Sequence, residues 1–364
     1  MANPKSFWQS LIDLISSFVR PARSAPLNGR TARLTVNNND EPVWTLTPRV
    51  LVVVFDPVWD QSTGRRLLQA PETASWSRVD DLLAGYIADV DECSGGSVKY
   101  QVVERVTVDD FPIKADHFTY DATSYLQALH TGRYHSPDWM DYGPLLNQWR
   151  LLQRVEQGEF DEVWLFGAPH FGFWEAAMAG TGAFFCNGGP VPNSPCPRKF
   201  VIMGFSYERG IGEMLEDLGH RAETSLAHLF RSDHFWEWAY NRDRTPKTTD
   251  VGTLNLLERF LCFDQIAPGK SNVGTLHYAP NSLVDYEWGV PTPVQSCADD
   301  WYQFPNLPDP PNYRTMTTQD WGGGDIRAHH KWWLKHLPRV AGRTNGISNN
   351  WWKYVIQVND PDFR

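Results

Sequence analysis

Between residues 210 and 230 the chain reads GIGEMLEDLGHRAETSLAHLF, in which Glu213, Glu216, His220 and Glu223 fall at i, i+3, i+7 and i+10. At about 100° per residue these four side chains share one helix face, within an arc of roughly 80°. Carboxylate and imidazole are zinc ligands, and a carboxylate one turn away can act as general base toward a water. Two readings of this face compete. Ile211, Met214, Leu215, Leu218, Ala222, Leu226 and Leu229 form an apolar stripe opposite it, as in any helix with one solvated side. Against that stands the repulsion among carboxylates on one face, which a cation or a protonated histidine would relieve. Gly212, Gly219 and Ala227 flank the face and leave room for another segment to cover it. A covered polar face needs partners.

A second stretch, GGGDIRAHHKWWLKHLP at 322–338, offers a matching face: Asp325, His329, Trp332 and His336 lie within roughly 60° on a helix. His330 points with Ile326, Trp333 and Leu337 and reads as a packed histidine. Asp325, following three glycines, also suits a helix N-cap. Together His220, Glu223 and His329 would supply a His₂Glu zinc set, with Glu216 as general base on the bound water. The spacing is not HExxH, and the chain carries no GxGxxG, phosphate-binding GxxxxGK[ST] or EF-hand loop.

The elements that must position these groups alternate. RVLVVVFD at 49–56 is a β-branched run of the kind found in buried parallel strands. A helix over 77–96, a strand over 97–109, a helix over 142–160, and strands over 161–169 and 198–205 follow, the last feeding the histidine-bearing helix. This order predicts an α/β fold, a mostly parallel sheet flanked by helices. Residues 49–364 are expected as one α/β domain, with a regular core at 49–245. The rest, 246–364, is irregular and aromatic-rich and holds the late helix.

In such sheets ligands bind beyond the carboxyl ends of the strands. That rule selects Asp56, then His170 and Glu175 in GAPHFGFWE, then Ser206, Tyr207 and Glu208 in SYERG. Asp56 alone also suits a turn cap. GFSYE, 204–208, is one residue short of a GxSxG nucleophile elbow, with Glu208 where the tight turn wants glycine. Ser206 and Glu208 are kept as catalytic candidates.

Formal net charge is −10 and no Lys/Arg cluster occurs, which argues against a nucleic-acid partner. The 17 Trp, 19 Phe and 13 Tyr, some adjacent as in Trp332-Trp333 and Trp351-Trp352, supply either a heavy core or surfaces that stack on sugars and peptides. Five cysteines form no CxxC. Cys186 and Cys196 flank a Gly/Pro loop that could close as a disulfide. Cys262 and Cys297 could pair as well, leaving Cys93 odd, so oxidising and reducing compartments both stay open. No apolar run approaches a membrane span. Phe7, Trp8, Leu11, Ile12, Leu14, Ile15, Phe18 and Val19 recur at helical spacing before Pro21. Residues 6–20 therefore read as an amphipathic docking helix for a protein or membrane surface, within a docking or targeting segment at 1–24, with an atypical signal peptide as the alternative. Residues 25–48 read as linker.

The functional expectation is a metal-dependent hydrolase, zinc foremost, acting on a peptide or glycan polymer. The alternative is a non-catalytic binding or assembly protein that uses Trp-rich surfaces and docks through its N-terminal helix.

Overall fold

A computed structural model describes residues 36–37, 41–240 and 251–363; the expected docking helix at 6–20 lies outside them. Five strands make the central sheet: β1 (Arg49–Phe55), β2 (Gln101–Val108), β3 (Glu162–Gly167), β4 (Ala176–Ala179) and β5 (Phe200–Ser206), in the spatial order β2-β1-β3-β5-β4. β1 pairs in parallel with both β2 and β3, and β3 in parallel with β5. The fourth strand runs antiparallel beside β5. The fold is thus α/β with a mostly parallel sheet, as the alternation predicts. β4 was not expected: AAMA is short and has no β-branched residue, so nothing in its pattern signals a strand. In the middle of the sheet Val50–Val54 and Glu162–Gly167 are buried on both faces, which explains the unbroken apolar runs.

Helix α1 (Val79–Cys93) crosses from β1 to β2, and α2 (Ala122–Thr131), α3 (Tyr142–Gln148) and α4 (Leu151–Glu156) precede β3. The single helix expected over 142–160 is two, broken at Arg150, whose φ of 52° is left-handed. In one straight helix Leu145 and Leu151 would sit about 120° apart around the axis. The break turns both into the core, where each is buried.

Helix α5 (Ile211–Phe230) follows β5 and is the centre of the molecule: every residue from Met214 to Ala227 is buried. Its sheet side carries Arg221, fully buried, in a two-pronged ion pair with Glu162 of β3 at 2.7 and 2.8 Å. The opposite side, which amphipathicity alone would leave in water, is covered. The late helix, α8 (Ile326–Lys335), packs along it, and so does the irregular segment around residue 276. Its glycines permit this: a Cβ on Gly212 would come within 2.7 Å of Ile326, and one on Gly219 within 2.4 Å of Leu276.

Between these lie α6 (Asp233–Tyr240) and α7 (Leu256–Phe260), and α9 (Trp351–Ile356) closes the chain. The aromatic residues of this half are mainly core. Phe260 packs against Trp301, Trp333 and Trp351 with ring centroids 5.1–5.7 Å apart, and Trp321 and Trp352 are also fully buried.

All five cysteines are free and buried, so the expected Cys186–Cys196 and Cys262–Cys297 bridges are absent. The ends of the first loop are drawn to different helices. Cys186 sits beside Thr224 and Ser225 of α5, whereas the Cys196 thiol approaches the Leu152 carbonyl of α4 at 3.5 Å.

Candidate metal centre

One helical turn on α5 places Glu216 and His220 side by side, with Glu216 Oε1 3.8 Å from His220 Nε2. The third member comes from the irregular segment that covers this face. His277 Nε2 lies 2.9 Å from His220 Nε2 and 3.1 Å from Glu216 Oε1. Tetrahedral ligands at about 2.1 Å from a zinc ion are about 3.4 Å from one another. The three observed separations straddle that value. Among the described residues this is the one group of three His, Cys, Asp or Glu side chains with ligand atoms so clustered. A fourth group, the carboxylate of Glu175 before β4, has Oε2 3.9 Å from His220 Nε2; its side chain is 41% exposed and receives a hydrogen bond from the Asn187 amide.

Both imidazoles are backed by carboxylates. Asp285 Oδ1 stands 3.0 Å from His277 Nδ1, and Glu223 Oε2 stands 3.4 Å from His220 Nδ1. Glu223 is itself fixed by the Leu276 N–H, which donates to its Oε1 at 2.7 Å. The Asp285 carboxylate behind His277 Nδ1 holds the proton there and turns the Nε2 lone pair forward, as in carboxylate–histidine–zinc arrangements, whereas Glu223 stands near His220 Nδ1 without a hydrogen bond to it. Two lone pairs 2.9 Å apart repel unless a proton or a cation lies between them. The Tyr286 hydroxyl donates to Glu216 Oε1 at 2.8 Å and its ring packs on His277.

The charges follow from these contacts. Burial would raise the Glu216 carboxyl, but hydrogen bonds from His220 and His277 and their charges hold it well below its usual range. Burial would lower His220, yet Glu216, Glu223 and the nearby Glu175 charge raise it well above 6.5. His277 is raised more modestly, because burial and the His220 charge oppose Asp285 and Glu216. Burial, with the Glu175 and Glu216 charges nearby, pushes the Asp217 carboxyl well above its usual range.

The side chains expected from sequence take varied places. Glu216 and His220 stand in the cluster, both among the three side chains that could hold a metal ion. Glu223 stands behind His220. His329 is outside: it is fully buried, its Nε2 contacts the Leu276 carbonyl at 3.1 Å, and its ring stacks on Trp288 at 5.0 Å. Its place is taken by His277, one residue beyond the carbonyl it holds. Asp325 caps α8, accepting from the Ala328 N–H at 2.7 Å. Asp56 accepts from the Leu68 N–H at 2.9 Å, and buried Tyr207 donates to the Phe55 carbonyl at 3.0 Å. Ser206 lies at the end of β5 with its Oγ 3.4 Å from the Glu208 N–H, and Glu208 is exposed.

His170 belongs to a different group, just past β3. Its Nδ1 lies 2.6 Å from Asp138 Oδ2, and its ring stacks on Tyr134 at 3.5 Å. The fully buried Lys114 ammonium fixes Asp138 at 2.7 Å. This pair stands at the carboxyl end of β3, beside β1, where the strand order reverses.

Sequence reasoning missed His277, Asp285 and Tyr286. They fall where no periodicity is readable, and the available signal was only their proximity in HYAPNSLVDYEW. Compared with protein-family models, curated proteins and solved structures, the chain matches none.

Proposed function

We propose that this protein is a zinc-dependent hydrolase acting on peptide bonds, with Glu216, His220 and His277 as ligands and Glu175 as general base. The observation that carries the reading is the pair of Nε2 atoms 2.9 Å apart, each on a ring backed by a carboxylate. Three protein ligands with a fourth position open is the pattern of catalytic rather than structural zinc, and the ion supplies Lewis acidity and a water of lowered pKa. Glu175 faces the cluster from its more exposed side, where a base acting on that water is needed. Carboxylates surround the centre, which disfavours phosphoesters and favours neutral or cationic substrates. Of the two polymer classes, peptide is preferred, because three of the four adjacent tryptophans that suggested sugar stacking, Trp333, Trp351 and Trp352, are buried in the core.

Elemental analysis of the protein after zinc loading and dialysis tests the metal, with one ion per chain expected. Glu175→Gln should keep the ion and lower turnover of a mixed peptide pool by about 10²–10⁴-fold, the range for a general base. No retained zinc sinks the proposal. Zinc retained without hydrolysis of any peptide moves the protein to the non-catalytic binding reading.

A further inference from the structure

Tyr286 occupies a backbone conformation that its own packing does not explain. Its φ is 61°, in the left-handed region that is strained for a bulky L residue. The usual compensation, burial of a large ring, is incomplete, because Tyr286 remains 48% exposed. The loop around it is nonetheless tightly built. Glu287 Oε2 accepts from the Leu283 and Val284 N–H groups at 3.0 and 3.2 Å, and the Ser282 hydroxyl donates to the Glu287 carbonyl at 2.6 Å. The Tyr286 N–H donates to the His277 carbonyl at 3.2 Å, tying the two residues by backbone as well as by ring contact. The outcome of this construction is one placement. The phenol reaches in from the solvent side and sets its hydroxyl 2.8 Å from Glu216 Oε1, the oxygen that also faces His277.

The geometry points to Tyr286 as a catalytic hydrogen-bond donor to the carbonyl oxygen of the substrate, a role that rests on the peptide-hydrolase reading above. The hydroxyl carries one proton, which it gives here to Glu216 Oε1; rotation about the phenol C–O bond turns that proton to a carbonyl oxygen bound beside Glu216. The step balances with groups on the page. The water oxygen bonds to the carbonyl carbon, its proton passes to Glu175, and the carbonyl π pair moves onto oxygen, which accepts the Tyr286 hydrogen bond. Return of that pair breaks the carbon–nitrogen bond, and the leaving amine takes the proton from Glu175. A donor aimed at charge that develops only in this step stabilises it more than it stabilises the bound substrate.

The test needs no known substrate. The protein is loaded with Co²⁺, whose visible absorption reports its ligands, and titrated with acetohydroxamate, which places a carbonyl oxygen next to the metal. Tyr286→Phe keeps the ring against His277 and removes only the hydroxyl; thermal melting checks that the variant is folded. The expected result is Co²⁺ affinity within about twofold of the parent and acetohydroxamate affinity about tenfold weaker, roughly 1.4 kcal/mol. Equal acetohydroxamate affinity overturns the role. Loss of Co²⁺ affinity in Tyr286→Phe overturns it differently, making the phenol a positioning group for Glu216. A parent protein that takes up no Co²⁺ overturns the metal reading, and this role with it.

Discussion

His220 and His277 meet through their Nε2 atoms at 2.9 Å, although 57 residues separate them in the chain. One is held by a buried helix and the other by an irregular segment laid across it. His277→Ala should therefore abolish retention of zinc by the purified protein, whereas His329→Ala should leave it in place and lower thermal stability. Elemental analysis of both variants decides between them, and loss of zinc only in the His329 variant would reverse the ligand assignment.

Gly219 sets the distance between those two elements. Alanine there would put a methyl group 2.4 Å from Leu276 Cδ1, and Leu276 is fully buried with nowhere to retreat. Gly219→Ala should cost about 1–3 kcal/mol in urea unfolding, the usual range for overpacking, and should weaken zinc binding by moving His277. Adding Leu276→Ala should recover part of the zinc affinity. A single variant with parental affinity would show that the segment adjusts freely.

The Arg221–Glu162 pair is a buried ion pair with extra support: the Tyr100 hydroxyl and the Trp164 indole N–H both donate to Glu162. Removing one partner leaves a buried charge unpaired, so Arg221→Met should destabilise by about 3–5 kcal/mol. The double variant Arg221→Met/Glu162→Gln should recover much of the loss. If the double variant is no more stable than the single one, the packing of the arginine stem rather than its charge is what matters.

Stability should fall as pH drops below about 6.5, the ordinary histidine value. Burial pushes His330 and His336 down to about 4 and His329 well below 6.5. Between these values the unfolded chain binds the protons that the folded chain refuses, and each group gives a slope of about 1.4 kcal/mol per pH unit. The raised His220 and His277 act in another window: their stabilisation is fully present below 6.5 and is lost as pH rises through their folded values. Asp217, raised by burial beside Glu175 and Glu216, acts in the opposite direction to the three histidines. Thermal midpoints should therefore decline from pH 7 to pH 5, and His336→Gln should flatten the decline. A midpoint unchanged over that range contradicts this account.

Four of the five strands of the sheet, all but β4, were legible in the sequence because strand pattern is written locally. A continuous apolar run such as Val50–Val54 has few alternatives to a two-face-buried strand. Glu216 and His220 were legible for the same reason, since one helical turn places i and i+4 together whatever surrounds them. The small residues Gly212 and Gly219 left room for a covering segment, while the amphipathic pattern argued equally for a solvated face. What covers it was not written in any period. Local pattern pointed only to the late helix, whose His329 lies on a readable face. The tertiary structure instead turned His329 onto the Leu276 carbonyl and brought His277 to the carboxylates, because Leu276 fits the gap at Gly219 and carries its neighbour with it. Helix periodicity decides which residues of one element share a face; only packing between distant segments decides which of them meet.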